Sequence, residues 1–263
     1  MLYRKFTAIA LTLVVAVLSG CRNHSSRLRI GVTPGPAEEI LASIAPELAR
    51  DGVELQIVPF TDYVQPNLAL AGKDLDANLY QNIPFLSQFN RDHSTNFVPV
   101  AKVYVPLMGI YPGRTKSLAG LHDGAQVSLP NDPVNQSRAL YLLQTAGLIS
   151  LRKGLGNQAT LADVIYGPHP LKLVELDASQ LPRSRQDVDL AVINANFALD
   201  AGLNPNRDAV LHESLDSVYV NVLVTNSSQQ SDPRIVKLGE SLRSTTAKSF
   251  IAGHYNGAIV PAT

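Results

Sequence analysis

The sequence predicts an α/β fold in two lobes, and three observations carry that expectation. Short apolar segments of strand length alternate with segments of helical periodicity. The strand segments are near-continuous apolar runs, as expected of a mostly parallel sheet buried on both faces. Two such blocks are separated by longer apolar stretches near residues 104–112 and 218–225, which fit two crossings between lobes. No period of 20–50 residues repeats, so a solenoid is excluded.

The elements follow in order. Arg4 and Lys5 precede an apolar run from Phe6 to Leu18, the size of a signal-peptide core and shorter than the roughly 20 residues that span a bilayer. Leu18-Ser19-Gly20-Cys21 then resembles a bacterial lipobox, and Cys21 is the only cysteine. In that reading residues 1–20 are removed and Cys21 carries the lipid. Acyl chains, palmitate among them, would hold the chain firmly, because one chain alone anchors only marginally. Residues 21–27 are polar and read as a tether.

Leu28–Val32 is a strand candidate, broken by Thr33-Pro34-Gly35-Pro36. Ile40, Leu41, Ile44 and Leu48 then recur at helical spacing up to Asp51-Gly52. Residues 53–60 read as a strand, 64–71 as a short helix and 75–80 as a third strand. Residues 97–111 form a long apolar stretch interrupted by Pro99 and Pro106. In the second block, 126–129 is a strand, 134–146 a helix, and 171–176 and 188–193 strands. A strand over 218–225 and helices over 233–244 and 246–254 close the chain. The expected organisation is one lobe from 28–109 with 222–263, and a second from 110–221.

Composition narrows the function. With 22 basic and 22 acidic side chains there is no electrostatic case for a nucleic-acid partner. A single cysteine excludes an intrachain disulfide, a redox pair and a multi-thiolate metal site. The six histidines are scattered, and there is no GxSxG elbow, Walker loop or GxGxxG. Gly113-Arg114-Thr115-Lys116-Ser117 has the wrong order for a phosphate loop and reads as a surface turn. No enzyme, no metal and no cofactor is expected.

Binding chemistry concentrates in the segments that follow strands, where ligands of such folds sit. Residues 60–67 and 76–85 supply Tyr63, Tyr80 and Phe85, aromatic surface suited to an apolar ligand group or simply to core packing. In Pro130-Asn131-Asp132-Pro133-Val134-Asn135-Gln136-Ser137-Arg138, Asn131 or Asp132 can cap a helix that Pro133 opens. Arg138 either grips a carboxylate bidentately or is an ordinary solvated helix-face arginine. Asn194, closing Leu190-Ala191-Val192-Ile193, and Asn221, inside an apolar run, are amides that need definite partners, whether structural or ligand.

These segments carry a resemblance. The lipobox, the Tyr63 loop, DANLYQNIPFL, VSLPNDPVNQSRALYLLQ, LVELDASQLPRS, LAVINANFA and SVYVNVLVT occur in the order found in the NLPA-type, methionine-binding lipoproteins, the solute receptors of ABC importers. The resemblance spans essentially the whole mature chain. It implies a two-lobed periplasmic-binding-protein architecture of type II character, closing on one amino acid, with an ABC permease and its ATPase as partners. By it Arg138 holds the ligand carboxylate, Asn194 and Asn221 contact the carboxylate and ammonium, and Tyr63, Tyr80, Asn82 and Phe85 line the side-chain pocket. With the ligand as the main partner of Arg138, this residue is expected to matter little to the ligand-free fold.

One position departs from the family. Its members usually carry Phe-Gln-His-x-Pro-Tyr where this chain has Tyr80-Gln81-Asn82-Ile83-Pro84-Phe85, so Asn82 replaces the pocket histidine. The residues that read an amino acid's polar groups are complete, whereas those that read its side chain are altered. The expected function is a lipid-anchored receptor for methionine or a close analogue, in the bacterial cell envelope. The alternatives are an enzyme or sensor on the same scaffold, or a receptor for a different polar amino acid. Arg22 is not the Asp associated with inner-membrane retention, which leaves the choice of membrane open.

Overall fold

The computed structural model describes residues 27–167, 170–215 and 218–263; the leader, Cys21 and the remainder of the tether lie outside these residues. Arg27, expected in the tether, already pairs with Glu54 as the first residue of a strand. The chain runs β1 (Arg27–Val32), α1 (Pro36–Arg50), β2 (Glu54–Pro59), α2 (Gln65–Ala71), β3 (Ala77–Asn82), α3 (Ile83–His93) and β4 (Phe97–Pro106). It continues with β5 (Gly109–Pro112), β6 (Gln126–Pro130), α4 (Pro133–Thr145), β7 (Ile149–Leu151), β8 (Val164–Tyr166), β9 (Lys172–Leu176), α5 (Leu181–Ser184) and β10 (Leu190–Ile193). Last come α6 (Ala195–Asp200), α7 (Pro205–Asp208), β11 (Leu211–His212), β12 (Asn221–Asn226), α8 (Pro233–Leu242), α9 (Thr245–His254) and β13 (Ile259–Pro261).

Two sheets result, ordered β2-β1-β3-β12-β4-β13 and β9-β6-β10-β5-β11, with β7 and β8 as a separate pair. In each, the first strands are parallel and a strand entering from the other lobe is inserted antiparallel: β12 in the first, β5 in the second. The period-2 alternation of strand side chains sorts residues onto two faces of each sheet. Leu223 of β12 joins the core beneath α1, α8 and α9, while Val222 and Val224 join the opposite core with Leu70, Leu86 and Phe89. In β10, Leu190 and Val192 pack towards α4, and Ala191 and Ile193 towards Leu181 and Phe197. Each lobe is thus a sheet covered on both faces.

The differences from the sequence reading have physical causes. The segment expected as a strand over 218–225 starts only at Asn221. Among the described residues no strand pairs with 218–220, and Val218 is 69% exposed. The two crossings are therefore the Leu107-Met108 break between β4 and β5 and the chain between β11 and β12, whose described residues 213–215 and 218–220 form no strand. Strand pairing places Gly109 in the second sheet and Asn221 in the first. The third strand lies two residues later than expected, and α3 is a helix where a loop was expected. Asn82 accepts from the Phe85 amide as its N-cap, and Leu86 and Phe89 are buried one turn apart. Opposite Val222 and Leu223 the register of β3 jumps from Gln81 to Leu79, so Tyr80 is the extra residue of a β-bulge. Bulges re-aim side chains, and this one lies at the end of β3 that faces the other lobe.

Gly113 follows β5 where the chain leaves no room for a side chain. A Cβ there would lie 2.3 Å from the Val188 carbonyl oxygen and 2.6 Å from that of Arg185, both backbone atoms. Gly113→Ala should cost about 1–3 kcal/mol through forced displacement of that turn. Gly253→Ala, in α9 with open space around it, should instead gain about 0.5–1 kcal/mol. Urea unfolding of the two variants checks both signs; equal midpoints would refute the packing argument.

Candidate functional site

Between the lobes lies a small pocket. It is lined by Tyr63, Tyr80, Gln81, Asn82, Phe85, Pro106, Asn135, Arg138, Asn194, Ala195, Asn196 and Asn221. All seven ligand-binding residues expected from the sequence meet here. They arrive from the loop after β2, the C-terminal ends of β3 and β10, the first turns of α3 and α4 and the start of β12, where the fold places its crevice. Asn135 and Asn196 were missed. Asn135 could have been found, because it sits three residues after Asp132 and three before Arg138 on one face of α4.

One wall is aromatic. Tyr63 stacks on Tyr80 at 6.0 Å, and Phe85 meets both rings edge-on at 6.1 and 6.0 Å. The Tyr80 hydroxyl donates to the Tyr63 carbonyl (2.9 Å), and the Tyr63 hydroxyl donates to Asn196 Oδ1 across the lobes (2.6 Å). Burial pushes both phenols well above their ordinary value, so they remain neutral donors. Asn196 also donates to Thr33 Oγ1 (3.3 Å), and Tyr63 meets Phe197 at 5.1 Å. Gly35, at φ +93°, lets the loop before α1 approach the Asn196 carbonyl. The lobes are closed on each other through these contacts. Behind the wall, Asn67, Asn78 and Gln81 form a fully buried amide triad with bonds of 2.7–3.0 Å, which fixes the floor.

The other end is polar. Arg138 is 3% exposed, so it is not a solvated helix-face residue. Its Nε donates to Glu213 Oε1 (2.7 Å), and its Nη2 donates to Glu213 Oε2 and to the Pro106 carbonyl (2.7 Å). The Tyr219 ring covers it at 4.4 Å. Glu213 Oε2 also accepts from the Met108 amide (3.0 Å). Burial alone would lower the guanidinium's pKa, but the charge and hydrogen bonds of Glu213 outweigh this and raise it. The bidentate fork expected for a ligand is thus engaged by Glu213, leaving Nη1 for any other anion.

Asn221 Nδ2 donates to the Tyr80 carbonyl and to the Tyr104 hydroxyl, both at 3.0 Å; burial pushes that phenol up to about 12. Asn194 Nδ2 donates to Asn135 Oδ1 (2.9 Å), and Asn194 Oδ1 is buried without any hydrogen bond. An unsatisfied buried acceptor costs about 1–3 kcal/mol, so a donor from outside the chain would be stabilising here. Asn82 is only half available, since its Oδ1 caps α3. Among the described residues no group of three His, Cys, Asp or Glu is placed to hold a metal.

The family model described as NlpA lipoprotein matches residues 28–263. The chain belongs to that family. The D-methionine-binding lipoprotein MetQ of Salmonella typhimurium is 37% identical over 98% of this chain and 97% of its own length. A nutrient binding protein of Burkholderia cenocepacia, solved bound to methionine, is 39% identical with a TM-score of 0.85, over 90% of this chain and all of that one. An ABC transporter periplasmic substrate-binding protein of Coxiella burnetii gives 38% and 0.84, over 89% of this chain and all of that one. The two-lobed receptor fold expected from the sequence is the fold of these family members, and they are binding proteins rather than enzymes.

The expectation that Arg138 matters little without ligand is overturned by Glu213. Removing one partner of a buried, hydrogen-bonded charge pair costs about 3–5 kcal/mol. Arg138→Ala should therefore lower the urea stability of the ligand-free protein by that order. Combining Arg138→Met with Glu213→Leu should restore most of it. A single variant as stable as the native protein would mean that Glu213 finds another partner or hydration.

Proposed function

We propose that this protein is the receptor of an ABC importer, that it captures methionine or a close analogue between its lobes, and that it is held to the cell envelope by lipid on Cys21. One observation carries the reading. The pocket between the lobes has a buried guanidinium and a buried asparagine with an orphaned oxygen at one end and three aromatic rings at the other. A zwitterionic amino acid supplies a carboxylate for the first and an ammonium for the second, and an apolar side chain suits the rings. In this reading Arg138, Asn194 and Asn221 bind the polar groups, while Tyr63, Tyr80, Asn82 and Phe85 contact the side chain. The names of the relatives support methionine and a place in an ABC transporter, and in this reading the ligand passes to a permease with its ATPase.

Purified protein, denatured, should release an amino acid unchanged, and its N-terminal peptide should begin at acylated Cys21; mass spectrometry reads both. Release of a chemically altered product would favour an enzyme, and an unmodified Cys21 would remove the anchor.

Asn82 favours a more polar member of the same ligand class. With Oδ1 capping α3, only its Nδ2 remains for ligand, a donor suited to a sulfoxide or carboxamide oxygen. Asn82→His should shift preference towards methionine over glutamine by about 1–2 kcal/mol. It should also destabilise the fold by about 1 kcal/mol through loss of the cap. Calorimetry with both ligands, beside urea unfolding, separates the effects. An unaltered methionine-to-glutamine ratio would show that this position does not read the side chain.

A further inference from the structure

We infer that Asp132 and Asn135 are positioning residues that set which atom Asn194 turns towards the ligand, and thereby select a cationic nitrogen over a hydroxyl or carbonyl at the ligand's α-carbon. The inference rests on the amino-acid-receptor reading above and deepens it.

The argument is one of donor and acceptor logic. An ionised carboxylate only accepts hydrogen bonds. Asp132 takes the Asn135 backbone amide on Oδ1 (2.9 Å) and the Asn135 side-chain Nδ2 on both oxygens (3.1 and 3.0 Å). The side-chain nitrogen of Asn135 therefore faces Asp132, and its oxygen faces Asn194. That oxygen in turn requires a donor, so Asn194 must present Nδ2 to Asn135 (2.9 Å). Asn194 Oδ1 is then the atom left over, buried and without a partner, on a residue that lines the pocket. Two amides that could each be flipped are held in one orientation by a carboxylate that does not itself line the pocket.

A second observation supports the assignment. Asn194 occupies the N-cap position of α6, where asparagine normally bonds the helix's free amides. Here its side chain makes no capping bond. Asn82 and Asp132, at the starts of α3 and α4, both do. The Asn194 amide is withheld from its local role and committed to Asn135 and the pocket. An acceptor held this way suits an ammonium, which only donates. It disfavours a keto oxygen, which only accepts, and gains less from a hydroxyl.

Asp132→Asn tests the relay. The new amide still caps α4 through its oxygen, but its nitrogen stands where a carboxylate oxygen accepted from Asn135. Donor then meets donor at one of the two contacts of Asn135 Nδ2, which removes the carboxylate's preference for the present orientation and lets Asn135 reverse and Asn194 turn its nitrogen to the ligand. Asn135→Ala, which keeps the Asp132 carboxylate on the helix amide, removes the relay by a second route and guards against misfolding of the first variant. Calorimetry compares methionine with its 2-hydroxy analogue, which has the same carboxylate and thioether. The preference for methionine should fall at least about tenfold in either variant, the equivalent of one lost oriented hydrogen bond. Equal weakening of both ligands in a folded variant, or no change, overturns the relay. If the wild-type protein binds neither methionine nor any other α-amino acid, the receptor reading itself fails, a result visible before any variant is made.

Discussion

A guanidinium buried between two lobes needs a counter-charge, and the position of that counter-charge organises the molecule. Arg138 leaves α4 in the second lobe, donates to the Pro106 carbonyl at the first crossing, and is bracketed by Glu213 and Tyr219 on the second. Glu213 accepts from Met108, so both crossings and the helix share one ion pair. In a low-dielectric site the pair survives because nearly every donor and lone pair is used. A conventional description would make Arg138 a ligand residue and Glu213 a scaffold residue. The geometry does not divide them. A ligand anion at Nη1 would touch the group that ties the two crossings together.

Apart from that pair, the site achieves polarity with neutral groups. Gln81, Asn82, Asn135, Asn194, Asn196 and Asn221 all line it, and the amide triad beneath extends the pattern inward. Because Arg138 and Glu213 already cancel, a net-neutral zwitterion adds no uncompensated charge to the buried volume. Burial pushes the Asp132 carboxyl up, with the Asn135 hydrogen bonds pulling against it. Its charge acts on the pocket at one remove, through Asn135. Oriented amides in place of further ions keep desolvation costs low while still fixing which atom donates and which accepts.

Much of this was legible in the sequence, and the reasons are local. Ile40, Leu41, Ile44 and Leu48 announced α1, and the apolar runs announced the strands whose two faces are both covered. Arg138, Asn194 and Asn221 stood out because polar residues at the ends of, or inside, apolar segments need partners. Glu213 did not stand out. It sits in an irregular crossing with no periodicity, and nothing in a one-dimensional pattern joins it to a residue 75 positions away. Helix α3 was missed because Asn82-Ile83-Pro84 was read as loop chemistry; an asparagine followed by proline two residues on is equally a helix start. The strand at Asn221 was begun too early because apolar composition does not show where a pairing neighbour runs out.

The position that departs from the family shows how local and functional demands meet in one side chain. Asn82 ends β3 and begins α3, and its oxygen satisfies the Phe85 amide, so it contributes to the helix whose first turn carries one wall of the pocket. Histidine at an N-cap is a poorer acceptor for that amide than asparagine. The exchange therefore strengthens the cap while reducing aromatic surface in the pocket, and Tyr80 and Phe85, themselves changed from the usual types, stand on either side of it. Three neighbouring replacements along one strand-to-helix turn are coupled through the same ring contacts, 6.0 Å between Tyr80 and Phe85. Contacting residues do not act additively. The aromatic end of this pocket is accordingly one unit, in which the residue at 82 acts together with the rings that flank it as much as through its own amide.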